Sequence, residues 1–135
     1  MYTKLDDVKK ASNELLKLIR KFPDKSEYLS LLAELYFNYN QDKKGLQILD
    51  RILKAEPDNG FVHFYLADYY RSKKELKEAD RHTKEALVSD KIENGYKIQY
   101  ILKLILNPDT TLTSDSQLDN YMNLLMQKYS DDLSV

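Results

Sequence analysis

The chain holds two histidines, His63 and His82, and no cysteine, so the side chains that most often bind metals or act as nucleophiles and general bases are nearly absent. The histidines are well separated in sequence, and neither has a second histidine or carboxylate at one-turn spacing that forms a recognisable metal motif. His63 falls at a helix position that packs between helices, and His82 on the expected outer face of its helix, so both read as structural or solvent-exposed. Acidic pairs at Asp6–Asp7, Asp115 with Asp119 and Asp131–Asp132 have the right chemistry for acid and base roles. Catalytic carboxylates, however, need burial or a cleft to shift their pKa values, and these sit at helix starts and ends, where capping and the helix dipole account for them. There is no glycine-rich phosphate loop, no Ser-His-Asp spacing and no nucleophile elbow. No catalytic residue, metal ligand or cofactor site is expected.

Eleven tyrosines remain. An aromatic platform could stack bases or grip a peptide, but Tyr36 and Tyr70 fall at inter-helix packing positions, and of Tyr28, Tyr39, Tyr65, Tyr69, Tyr96 and Tyr100 most are expected to be partly buried, leaving one or two to line a groove. Charge argues in the same direction. The 21 Lys and Arg nearly cancel the 22 Asp and Glu, so no basic field is available to hold nucleic acid by counterion release. No apolar run approaches the ~20 residues of a membrane helix, so this segment is not expected to insert in a membrane. The absence of cysteine leaves the compartment open: cytoplasmic by default, or part of an exported, envelope-anchored chain. The Lys, Asn, Tyr and Ile bias suits an AT-rich bacterial genome.

The elements that would position these residues follow from composition and spacing. Three glycines and three prolines leave little turn chemistry for strands, while good helix formers are abundant, which gives an all-α chain. Slid against itself until Pro23-Asp24 lies on Pro57-Asp58, the sequence matches along much of its length. In that register Ala11 recurs as Gly45 and Ala79, Leu32-Ala33 as Leu66-Ala67, and Tyr36 as Tyr70. Within a period, Leu29, Leu32, Ala33 and Tyr36, then Leu46, Leu49, Ile52 and Leu53, follow helical spacing, so each period holds two helices. Asp24 with Glu27, and Ser114 with Gln117, offer capping boxes, and Asn40-Gln41-Asp42 supplies a left-handed residue and then a capping carboxylate. Small residues mark close helix crossings, Ala33 against Gly45 and Ala67 against Ala79.

The period of about 34 residues, the Leu-Ala pairs, Tyr36 and Tyr70, the small residue in each second helix and Pro57 together resemble the tetratricopeptide repeat (TPR) pattern over most of the chain. Leu29 and His63 stand at the family's usual Trp position and Lys91 where Pro is expected. The resemblance implies a right-handed superhelical α-solenoid of antiparallel hairpins with about seven helices: residues 3–21 as the second helix of a truncated repeat, 26–59 and 60–93 as full repeats, and 94–130 as a divergent repeat. The insertion that lengthens the last falls in the loop Asn107–Thr113. A chain that starts on half a hairpin and stops at Asp132-Leu133-Ser134-Val135 reads as a piece of a longer protein, with exposed half-interfaces suited to end-to-end self-association.

The same resemblance places a ligand surface on the first helices, which line the concave face in this family. It comprises Glu27, Ser30, Glu34, Phe37 and Asn38, then Phe61, Phe64, Asp68 and Arg71, then Ile98, Leu102 and Ile105. Ser30 and Glu34 occupy the Lys and Asn sites of the family's carboxylate clamp, so capture of a terminal carboxylate is not expected. Phe37, Phe61 and Phe64 would instead fill apolar pockets and Glu34 and Asp68 read charge on a peptide or partner protein. The alternative is a structural or regulatory segment of a larger protein or enzyme, in which Ile98, Leu102 and Ile105 pack against neighbouring parts of that protein.

Overall fold

A computed structural model describes residues 4–133 of the chain; Thr3 and the side chains of Asp131 and Asp132 lie outside the described residues. The fold class is the expected one, all-α, with eight helices and no strand among the described residues. They are α1 (Lys4–Lys21), α2 (Ser26–Asn38), α3 (Asp42–Ala55), α4 (Gly60–Ser72), α5 (Leu76–Leu87), α6 (Asn94–Leu106), α7 (Pro108–Thr111) and α8 (Asp115–Leu133). The eighth is a departure from expectation: Pro108 supplies the fixed φ of a first helical residue, so the insertion between α6 and α8 winds into the one-turn α7 rather than an open loop. Leu112 then ends it in the left-handed region, at φ 55°.

The starts of α2, α4 and α6, at Ser26, Gly60 and Asn94, are evenly spaced at the interval that separates Pro23 from Pro57. The chain divides into two compact units after Pro57. In the first, α1 and α3 pack on α2, and the core is Val8, Ile19, Leu29, Leu32, Ala33, Leu49 and Ile52. In the second, α4 pairs with α5, and α8 packs on both α5 and α6. Its core gathers Ala67, Leu87, Tyr100, Ile101, Leu104, Tyr121 and Leu125, with Phe64 and Leu118 against it.

The helix ends show which local signals hold. At α8, Ser114 Oγ accepts from the Gln117 amide at 3.2 Å while Gln117 Oε1 accepts from the Ser114 amide at 3.1 Å, a complete capping box. Asn59 caps α4 by accepting from the Val62 amide at 3.1 Å. Two other expected caps do not form. Lys25, not Asp24, is the N-cap of α2, and Gln41 precedes α3 with Asp42 already inside the helix; neither makes a side-chain cap bond. The hairpin turns use the left-handed conformation at Asn40, as expected, and again one repeat later at Lys74.

Gly45 marks a close approach, but the group it admits is the Phe37 ring: a Cβ built on Gly45 would lie 2.7 Å from Phe37 Cε2. Gly60 serves likewise at the start of α4, where a Cβ would meet Ile92 Cδ1 at 2.3 Å. A Cβ on Gly95 meets nothing within 4 Å.

These contacts separate propensity from packing. Replacing an in-helix glycine by alanine gains up to ~1 kcal/mol of intrinsic helix stability, whereas overpacking costs about 1–3 kcal/mol. Gly45→Ala is therefore destabilising and Gly45→Leu more so, while Gly95→Ala is neutral or stabilising. Thermal melts followed by circular dichroism test this, and a Gly45→Leu melt coincident with the parent would refute the close approach of the Phe37 ring to Gly45.

Candidate functional site

The surface proposed from sequence divides into residues that stand in solvent and residues that hold the fold. In the first unit, Glu27, Ser30, Glu34 and Asn38 are exposed on one side of α2, joined by Leu31 at 50% exposure, while Phe37 is half-buried. Phe37 is thus a packing residue against Gly45, not the open apolar anchor expected.

In the second unit, α4 and α6 lie side by side and touch through three successive rungs. Phe61 meets Tyr96 edge to face at 5.3 Å between ring centroids, Phe64 stacks on Tyr100 at 4.1 Å, and Asp68 bridges Lys103 at 2.9 Å. Phe61 remains 54% exposed, but Phe64 is half-buried by its stacking.

Arg71 departs furthest from expectation. It is 8% exposed, on the inner side of α4. Its guanidinium donates to the Tyr100 hydroxyl and, at 2.8 Å, to Thr83 Oγ1, with Asp68 Oδ1 at 3.6 Å. Tyr100 in turn donates to Asp68 at 2.8 Å, and Thr83 to the Ala79 carbonyl at 2.7 Å. A buried cation is tolerated when its donors find acceptors, as these do. Burial, reinforced by Asp68, drives the Tyr100 phenol well above its ordinary range, so it stays protonated and serves the network as donor and acceptor. A second phenol repeats the device on α8: Tyr121, 1% exposed, donates to Asp80 Oδ1 at 2.6 Å, and burial raises its pKa too.

The histidines form a buried pair. His63 is 5% and His82 4% exposed, with Nδ1 atoms 2.9 Å apart, so one ring donates and the other accepts. His82 therefore does not lie on an outer face. Tyr70 stacks on it at 5.6 Å and Arg81 Nη2 approaches its Nε2 at 3.2 Å. No group of three or more candidate metal ligands occurs among the described residues.

Sequence reasoning also missed two buried polar anchors at the connection into α6. Lys97 is 1% exposed and its ammonium donates to the Ser89 carbonyl at 2.7 Å, while Ser89 Oγ donates to the Asp58 carbonyl at 2.6 Å. In the repeat register Lys97 falls on the equally buried His63, and that coincidence is the signal that could have revealed it.

Ile98, Leu102 and Ile105, by contrast, are 48%, 48% and 44% exposed. Exposure is distributed unevenly between the helices. Within α3 and α5 the open positions are mostly charged or amide side chains such as Lys43, Lys44, Gln47, Arg51, Lys77 and Arg81. The large open apolar groups of α2, α4 and α6 are Leu31, Phe61, Tyr65, Tyr96, Ile98, Leu102, Ile105 and Leu106.

Two measurements test the interior. Tyr100→Phe leaves the buried Arg71 short of an acceptor and should cost about 1–3 kcal/mol in urea unfolding; a change under ~0.5 kcal/mol, the range of an ordinary surface substitution, would refute that role. For His82, burial first, then Arg81 and His63, lower the pKa from 6.5 to about 4. The folded chain thus keeps the ring neutral where the unfolded chain protonates it, so stability is complete above pH 6.5 and falls as the pH drops toward 4. The Glu78 carboxylate, held low by Arg81, adds to the loss only below its ordinary 4.5. A flat unfolding free energy across the histidine window would contradict the buried pair.

No protein-family model matches the sequence, and no solved structure matches the chain. Among curated proteins, a stretch of 55 residues, 41% of this chain, is 29% identical to part of a Cricetulus griseus protein named Interferon-induced protein with tetratricopeptide repeats 2. The match takes in 12% of that protein's length, so the chain spans a small part of this relative. Over that stretch the chain is similar to a protein named for the repeats that its own internal spacing resembles.

Proposed function

We propose that the chain is a protein-interaction scaffold built of TPR-type hairpins, which binds a peptide or partner protein on its first helices and carries out no catalysis. The observation that carries this reading is the uneven exposure just described. Large apolar side chains face solvent on α2, α4 and α6, while α3 and α5 present mostly polar ones, Leu76 apart; α8 also exposes Met122, Met126 and Tyr129. Within the second unit the exposed groups lie on two touching helices, α4 and α6, and clustered apolar exposure of this kind is what distinguishes a contact surface from ordinary protein exterior. The similarity to a protein named for tetratricopeptide repeats supports it.

Within this reading the contact residues are Glu27, Ser30, Glu34 and Asn38 of α2 in the first unit and, in the second, Phe61, Asp68, Ile98, Leu102 and Ile105. Phe61 and the α6 aliphatics supply apolar contact and Glu34 supplies charge. Asp68 does so less, because Lys103 already neutralises it at 2.9 Å. Arg71, Phe37 and Phe64 act behind this surface by holding its helices.

Affinity capture with the purified chain as bait, followed by mass spectrometry, provides the test. Phe61→Ala combined with Tyr65→Ala on α4 should release captured proteins, whereas Lys44→Ala with Arg51→Ala on α3 should not. Equal capture by both variants would sink the assignment of the contact surface to the first helices.

A further inference from the structure

On α6, the residues that touch α4 are Tyr96, Tyr100 and Lys103. At about 100° per residue, Ile98, Leu102 and Ile105 lie round the helix on the side turned away from α4. The repeat register says what that side is built for. Moved back by one repeat, these three positions fall on Phe64, Asp68 and Arg71 of α4, and α6 engages all three: Phe64 by stacking on Tyr100, Asp68 through Lys103, Arg71 through the Tyr100 hydroxyl. The far side of α6 is therefore the counterpart of a helix-receiving face. It is 44% to 48% exposed at these positions and 73% at the adjoining Leu106.

The chemistry of that face restricts its occupant. Where α4 offers a carboxylate and a guanidinium, α6 offers Leu102 and Ile105. A helix carrying groups like Tyr100 and Lys103 would find neither carboxylate nor guanidinium there, so a phenol as buried as Tyr100 would go without its hydrogen-bond partners and an ammonium like that of Lys103 without its counter-charge. An uncharged aliphatic helix face fits better, and α6 is itself such a face, since Ile98, Gln99, Leu102, Ile105 and Leu106 bear no charge. Its spacing is also self-complementary. Ile98, Leu102 and Leu106 form one ridge at four-residue steps, and two such ridges interdigitate in the commonest class of helix packing. Reversing the direction of the ridge exchanges Ile98 with Leu106 and leaves Leu102 in place, as a two-fold interface demands.

We infer that a second copy of this chain docks on α6, the two α6 helices antiparallel about an axis passing Leu102. The inference names a partner for the scaffold and rests on the scaffold reading. The ridge covers on the order of several hundred Å² per copy, at or below the ~800 Å² per partner of a standard stable interface, which suits a reversible dimer in the micromolar range.

Sedimentation of the purified full chain, from low micromolar to hundreds of micromolar, reads the association. A monomer–dimer equilibrium is expected. Leu102→Glu and Leu102→Lys, each placing like charges across the axis, should each raise the dissociation constant roughly 100-fold. An equimolar mixture of the two variants should recover the dimer. Leu102 is half-exposed, so unchanged circular dichroism shows that neither variant disturbs the fold. A chain monomeric throughout, a dimer indifferent to both substitutions, or folded variants that fail to recover on mixing would each overturn the proposal. A monomeric chain that still captures proteins through Phe61 and Tyr65 would overturn self-association and leave the scaffold reading standing.

Discussion

A single buried guanidinium organises the second unit. Arg71 cannot leave water unless its donors are met, and the acceptors come from two other helices: Thr83 on α5 and Tyr100 on α6. Satisfying one side chain therefore fixes three helices relative to one another, with a directionality that aliphatic contacts alone do not impose. The stacking of Phe64 on Tyr100 and the Asp68–Lys103 bridge then extend the same register along α4 and α6. Tyr121, bonded to Asp80, ties α8 to α5 by the same chemistry. The apolar cluster of Leu87, Ile101, Leu104 and Leu125 fills the space these bonds enclose.

The division of labour between helices follows. Residues that face a neighbouring helix are spent on order; the others stand in solvent. On α4 the neighbour takes Phe64, Asp68 and Arg71, while Phe61, which also meets Tyr96, and Tyr65 keep part of their surface in solvent. On α6 the equivalent positions remain open and aliphatic. The same register position thus serves cohesion on α4 and stands open to solvent on α6, where its side chains are aliphatic.

Much of this was legible in the sequence, and the rest was not for identifiable reasons. The interval at which the chain matches itself is the interval between the starts of α2, α4 and α6, because apolar periodicity and proline punctuation depend on local geometry alone. The Ser114–Gln117 box was readable for the same reason. Phe37 and Arg71 were misplaced because a family resemblance assigns positions to a face whatever side chain occupies them, and His82 because the average polarity of a helix face does not register a single polar side chain; all three are drawn inward by partners elsewhere in the chain. Tyr100 comes from the helix pair after Arg71, and His82 from the helix after His63. The failed caps at Asp24 and Asp42 show the converse: a capping residue one position out of phase with the helix start is no longer a cap.

The connection between α5 and α6 is anchored by Lys97, whose ammonium sits in the interior on the Ser89 carbonyl. Amine-reactive reagents attack lysines as free amines in water, and the other lysines described here are at least partly open to them. Acylation of Lys97 must therefore wait for this corner of the protein to open. Its labelling rate, compared with that of its neighbours, is a built-in clock for local breathing that needs no added probe.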